Sequence, residues 1–257
     1  MTGAILLLIV AGIGLAQVVS SPRQVTLLWL RLGGLIAIGL LAVAVVVVGL
    51  GGWGSNLYLV GAVAVIAVGQ LMTVQLGWKV TQRILAGGTF LVGATLGGLW
   101  MARVAMPELQ PSAAAVAMVP TAMAAAGLLG GSLMTMLLGH AYLTAGGQMT
   151  QAPFRRLVVM LLVVLGVRAG LSVICGLWPW WQAEPTGGMA QMWENVMLVA
   201  RYAVGLGVPA VFLWMAWDCG RRVSNQSATG ILYVTSVLII IGEGIALGLL
   251  GPKGFVF

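Results

Sequence analysis

Apolar residues in this chain neither alternate nor keep to one helical stripe. They run on in stretches about as long as a bilayer is thick. Eight such runs fall at roughly 3–20, 27–50, 57–78, 84–104, 113–144, 157–178, 191–217 and 229–250. A helix needs about 20 mostly apolar residues to cross the hydrocarbon. Between the runs lie short breaks rich in turn or charge signals: SSPRQ, GGWGSN, KVTQR, MPELQPS, AGGQMTQAPFRR, PWWQAEPTGG and DCGRRVSNQS. Continuous runs favour helices over a barrel, whose strands would alternate, and an open strand cannot satisfy its backbone in lipid. The expectation is an all-α, polytopic transmembrane helix bundle of about eight spanning helices, one domain over residues 1–257.

Composition strengthens that expectation. The chain is 61% hydrophobic and 7% charged, whereas a soluble domain carries roughly a quarter charged residues. Lipid is therefore the expected solvent and first partner. The net charge of +7 resides mostly in the short breaks, so it points to headgroups and not to nucleic acid. The breaks after runs one, three, five and seven carry Arg23, Lys79 and Arg83, Arg155 and Arg156, and Arg221 and Arg222. The other side carries only Arg103 and Lys253. By the positive-inside rule the odd breaks face the cytoplasm and both termini lie on the outer side of a cell (inner) membrane. The first run, Gly3 to Val19, lacks a basic leading region and is expected to be a spanning helix and not a cleaved signal.

The remaining features are expected to serve packing and anchoring. Cys175 and Cys219 form no close-spaced pair and read as packing residues. Trp178, Trp180, Trp181 and Trp193 form an expected interfacial belt. The 38 glycines are expected to make packing seams, because small residues let helices approach closely where hydrophobicity cannot drive association.

Chemistry is expected where ionisable groups enter the membrane. Arg31, near one end of the second run, is placed to snorkel, and Glu194 lies near the outer end of the seventh. Arg168, Arg201 and Glu243 fall at comparable depth on three consecutive helices. A buried arginine without a partner is costly, so Glu243 is expected to pair with one of them. Such a group serves either as a neutralised packing clamp or as a polar pocket for a quinone headgroup or a proton step. His140 and Tyr142, toward the inner end of the fifth run, are placed to hydrogen-bond a quinone carbonyl and form a second candidate site. His140 is the only histidine, so a bis-histidine haem within the chain is excluded, haem is not expected and no metal site is predicted. The last run has no lysine for a retinal Schiff base. Paired Asn-Pro-Ala turns and a Walker motif are missing, and Pro120 and Pro209 do not form a matched pair in two halves.

ARYAVGLGVPAVFLW, with Arg201 and Pro209, and SATGILYVTSVLIIIGEGIAL, with Glu243, resemble the NrfD-like membrane anchors of the polysulfide and dimethyl-sulfoxide reductase type. The resemblance covers the last two helices only. It implies a haem-free anchor of eight or more helices that exchanges electrons with quinone near the outer face. The chain departs from the family at VGQLMTVQLGW, where Gln75 stands in place of an expected histidine. The expected function is thus a membrane anchor and quinone-facing subunit of a respiratory or photosynthetic electron-transfer complex, bound to other subunits and not catalytic alone. A small secondary transporter or channel, and a purely structural assembly subunit, are the alternatives.

Overall fold

The computed structural model describes residues 2–53, 57–105, 111–145, 150–180 and 188–253. Side chains are described over the same stretches except at 50–53, 59, 104–105, 111–117, 145, 175–180, 188, 190 and 251–253. The expected tryptophan belt, apart from Trp193, lies outside the described side chains, as do Cys175 and Lys253.

The described chain is helical and contains no strand. The helices are α1 (Thr2–Val19), α2 (Leu27–Trp53), α3 (Leu57–Gln75), α4 (Lys79–Ala105), α5 (Pro111–Ala145) and α6 (Ala152–Trp180). The seventh, α7, runs Gly188–Tyr202, passes through a π-helical turn at Ala203–Gly207 and continues as Val208–Arg221; α8 is Asn225–Lys253. Seven are long and apolar enough to cross a membrane, and α3, whose described apolar part is Val60–Gln75, is shorter.

Helix ends differ from the apolar runs in two ways. Helices α4 and α6 begin several residues earlier than the runs, so Lys79, Arg83, Arg155 and Arg156 lie on first turns and not in loops. Hydropathy marks only the part of a helix that sits in hydrocarbon, whereas backbone hydrogen bonding carries the helix on into the headgroups. Helix α3 stops earlier than its run, because Gly77 turns left-handed at φ 76°. Trp78 N–H then bonds to Thr73 O at 3.0 Å and Gly77 N–H to Val74 O at 3.4 Å. This is a Schellman C-cap, which favours glycine at the left-handed position.

Helix α1 is the centre of one half of the bundle, packed along α4 and α5 and flanked by α2. Its approach to α5 is backbone to backbone. A Cβ on Gly12 would overlap Ala126 O and lie 2.7 Å from Gly130 Cα, and a Cβ on Gly130 would overlap Ile9 O. Helix α5 also packs on α6 and α8, so it joins the α1–α4 group to the α6–α8 group.

Contacts between helix ends place the basic breaks together. Arg83 Nη2 donates to Val18 O at 2.8 Å and Arg156 Nη1 to Gln24 Oε1 at 3.1 Å. The first, third and fifth breaks therefore share one end. Gly139 near the end of α5 abuts Thr229 in the first turns of α8, which brings the seventh break to the same end.

Single cysteines at Ser21, Gln151 and Ser224, in a chain with Cys175 and Cys219 replaced by Ala, are expected to react with a membrane-impermeant thiol reagent from one and the same side. Gly130→Leu is expected to lower stability by about 3 kcal/mol, seen as lost folded yield in mild detergent, while Gly39→Leu, where a Cβ meets nothing within 4 Å, leaves the yield near wild type.

Candidate functional site

Arg168, Arg201 and Glu243 meet in the α6–α8 half. Each is at least 98% buried. Helix α8 supplies the carboxylate, which accepts from two guanidinium groups. Arg168 Nε donates to Glu243 Oε1 at 3.2 Å and to Oε2 at 3.3 Å, and its Nη2 donates to Oε2 at 3.1 Å. Arg201 Nη2 donates to Oε1 at 2.8 Å. The Arg168 contact is the side-on fork that arginine makes with carboxylates, so it fixes direction as well as distance.

The arginine positions are themselves held. Arg168 Nη1 donates to Ser172 Oγ at 3.0 Å, one turn along α6. Ser172 O in turn accepts from Tyr202 OH at 3.2 Å, which ties α6 to α7 beside Arg201. Burying charges in lipid is tolerable only when each meets hydrogen-bonding partners, and this arrangement supplies them.

The π turn sets where Arg201 points. Pro209 has no N–H to offer the carbonyl of Gly205, and its ring crowds that carbonyl. The backbone widens, and Val208 N–H bonds to Ala203 O, five residues back. The turn also brings Gly205 against Gly242 of α8: a Cβ on Gly205 would lie 2.7 Å from Gly242 Cα and 2.9 Å from Arg201 Nη1. Two facing glycines let the helices close to the distance at which Arg201 reaches Glu243. Ser172, Tyr202 and the Gly205–Gly242 contact escape a sequence reading that looks only for charge. A glycine four residues before a proline, next to an intramembrane arginine, is the signal that marks them.

The second candidate pair is not brought together. His140 is exposed on the surface of α5, whereas Tyr142 is 4% exposed. Positions two apart on a helix point to different faces. Tyr142 OH donates to Thr150 O, and its ring meets Phe154 edge-on at 5.9 Å and 86°. The tyrosine closes the α5–α6 connection. Arg31 is partly buried near the start of α2, and Glu194 partly buried on the first half of α7.

A second buried polar group lies in the α1–α4 half. Gln17 Oε1 accepts from both Gln70 Nε2 and Gln82 Nε2, the latter at 2.9 Å, and Gln17 Nε2 donates to Leu30 O at 3.2 Å. Thr89 Oγ1 donates to Gln70 Oε1 at 3.1 Å. Among the described residues, no group of three His, Cys, Asp or Glu is placed to hold a metal ion.

Removing the carboxylate leaves two buried cations facing each other, a loss of about 3–5 kcal/mol. Glu243→Gln is therefore expected to lower the detergent melting temperature well below that of Ile240→Ala on the exposed side of the same helix. No protein-family model, no curated protein and no solved structure matches the chain.

Proposed function

We propose that this chain is a membrane anchor and quinone-facing subunit of an electron-transfer complex, with Arg168, Arg201 and Glu243 as its quinone or proton site. The observation that carries the reading is the convergence of two guanidinium groups on one carboxylate within the membrane-spanning helices. Guanidinium N–H groups are the donors a quinone carbonyl needs, and a carboxylate is a group that gives or takes the accompanying proton. Two of the three, Arg201 on α7 and Glu243 on α8, also lie in the stretches on which the chain resembles the NrfD-like anchors.

In this reading Arg168 and Arg201 hold the headgroup oxygens and Glu243 handles the proton. Bound quinone supplies the redox chemistry, and electrons come from a partner subunit. The basic end faces the cytoplasm, and the first residues of α1 and the last of α8 face outward, as the positive-inside rule requires.

Glu243→Gln, Arg201→Gln and Arg168→Gln are compared in native-like membranes for assembled yield and quinone-linked turnover, with co-purifying iron–sulfur or haem subunits recorded. Variants that assemble are expected to lose turnover, Glu243→Gln by about a hundredfold or more, the usual scale for a lost proton-transfer group. Normal turnover in assembled variants would return the group to a packing clamp. A self-contained homo-oligomer without redox partners would favour transport.

A further inference from the structure

Toward the basic end, α7 carries Val211, Trp214, Trp217 and Arg221 at helical spacing, so the four line one face of the helix. That face looks out of the bundle. Val211, Trp214 and Arg221 are exposed and Trp217 partly so, whereas Leu213, Ala216 and Gly220 on the adjoining face are buried. The two indoles pack with centroids 5.0 Å apart and planes tilted by 42°. The Arg221 guanidinium lies over the Trp217 ring, 4.8 Å from its centroid. A cation–π contact uses the charge of the guanidinium and not its hydrogens, so N–H donors remain for a second partner. The next residue differs, because Arg222 Nε already meets Asp218 Oδ2 at 3.0 Å.

A second cation stands beside this face. Gly220 is pressed against the Phe154 ring, and a Cβ on it would lie 3.9 Å from Arg155 Cγ. The Arg155 stem therefore meets α7 at the residue before Arg221, with its Cγ within about 9 Å of the Arg221 Cα. Both arginines are exposed, and over that separation two such side chains can close on one phosphate.

We propose that this corner, between the first turn of α6 and the last turns of α7, binds an anionic phospholipid. Arg221 and Arg155 take the phosphate, and an acyl chain lies along Trp217, Trp214 and Val211 into the hydrocarbon. An apolar helix face that ends in cations fits an amphiphile with its chain below and its charge above. Charge complementarity then selects among lipids. An anionic headgroup offsets part of the excess positive charge, whereas the ammonium of a choline lipid restores it. The indole makes the corner a site and not only a positive surface, since it holds the donor in place before the lipid arrives.

The test is native mass spectrometry of the full chain in mild detergent, titrated with phosphatidylglycerol and with phosphatidylcholine of matched acyl chains. The wild-type chain is expected to hold phosphatidylglycerol about tenfold more tightly, the scale of one charge-assisted hydrogen bond. Arg221→Gln is expected to remove most of that preference, and Trp217→Leu, which changes no charge, to lower it severalfold. Arg23→Gln removes the same charge from an exposed position in the α1–α2 loop at the same end, and is expected to leave the preference near wild type. Equal retention of the two lipids by the wild-type chain would overturn the proposal and leave Arg221 to an acidic segment of a partner. A loss from Arg23→Gln as large as that from Arg221→Gln would overturn it too, since diffuse charge would then decide. So would a preference untouched by Trp217→Leu.

Discussion

Lipid offers no hydrogen bonds and no hydrophobic force between helices, and both halves of this bundle follow from that lack. Association has to come from close packing and from polar groups that find one another. In the α1–α4 half the first device dominates: Gly12 and Gly130 let the backbones of α1 and α5 touch, and α1 becomes a rod around which its neighbours close. In the α6–α8 half the second dominates, with Glu243 binding two arginines from two helices. There too a glycine contact, Gly205 on Gly242, sets the distance over which the charges meet.

The polar groups of the two halves differ in kind. The glutamine and threonine network is neutral and ties α1, α3 and α4 through side-chain amides. Neutral hydrogen bonds in a membrane add modestly to stability, on the order of 1 kcal/mol each, but they fix rotation about the helix axis. The arginine–glutamate group is charged and raises the stakes, since losing its one carboxylate strands both cations. One half is thereby tied by neutral hydrogen bonds and the other by charge.

Most of the architecture was legible in the sequence, because the hydrocarbon imposes a length on every apolar run. The basic residues, counted by alternate breaks, gave the same up-and-down order that Arg83–Val18 and Arg156–Gln24 establish in three dimensions. Pairing of Glu243 was legible as well, since an isolated buried charge is prohibitive. Legibility failed where geometry depends on who stands opposite. In DCGRRVSNQS, Gly220 is helical and faces the ring of Phe154, while Val223 takes the left-handed conformation at φ 59°. His140 and Tyr142 looked like a pair by proximity in sequence and were separated by the helix they share. The glutamines carry no charge to mark them, and only the fold reveals that three of them converge.

The π turn of α7 has a consequence for how this protein tolerates change in length. A π turn carries one residue more than the α-helical path it replaces, and one residue corresponds to about 100° of rotation. Deleting a single residue within Ala203–Gly207 would restore a regular helix with every apolar position still apolar. The first half of α7 would nonetheless turn by a quarter circle or more against α8, and Arg201 would leave Glu243. In most spans a lost residue shortens a rod; here it would unscrew a lock, so the length of this segment is constrained as tightly as its charges.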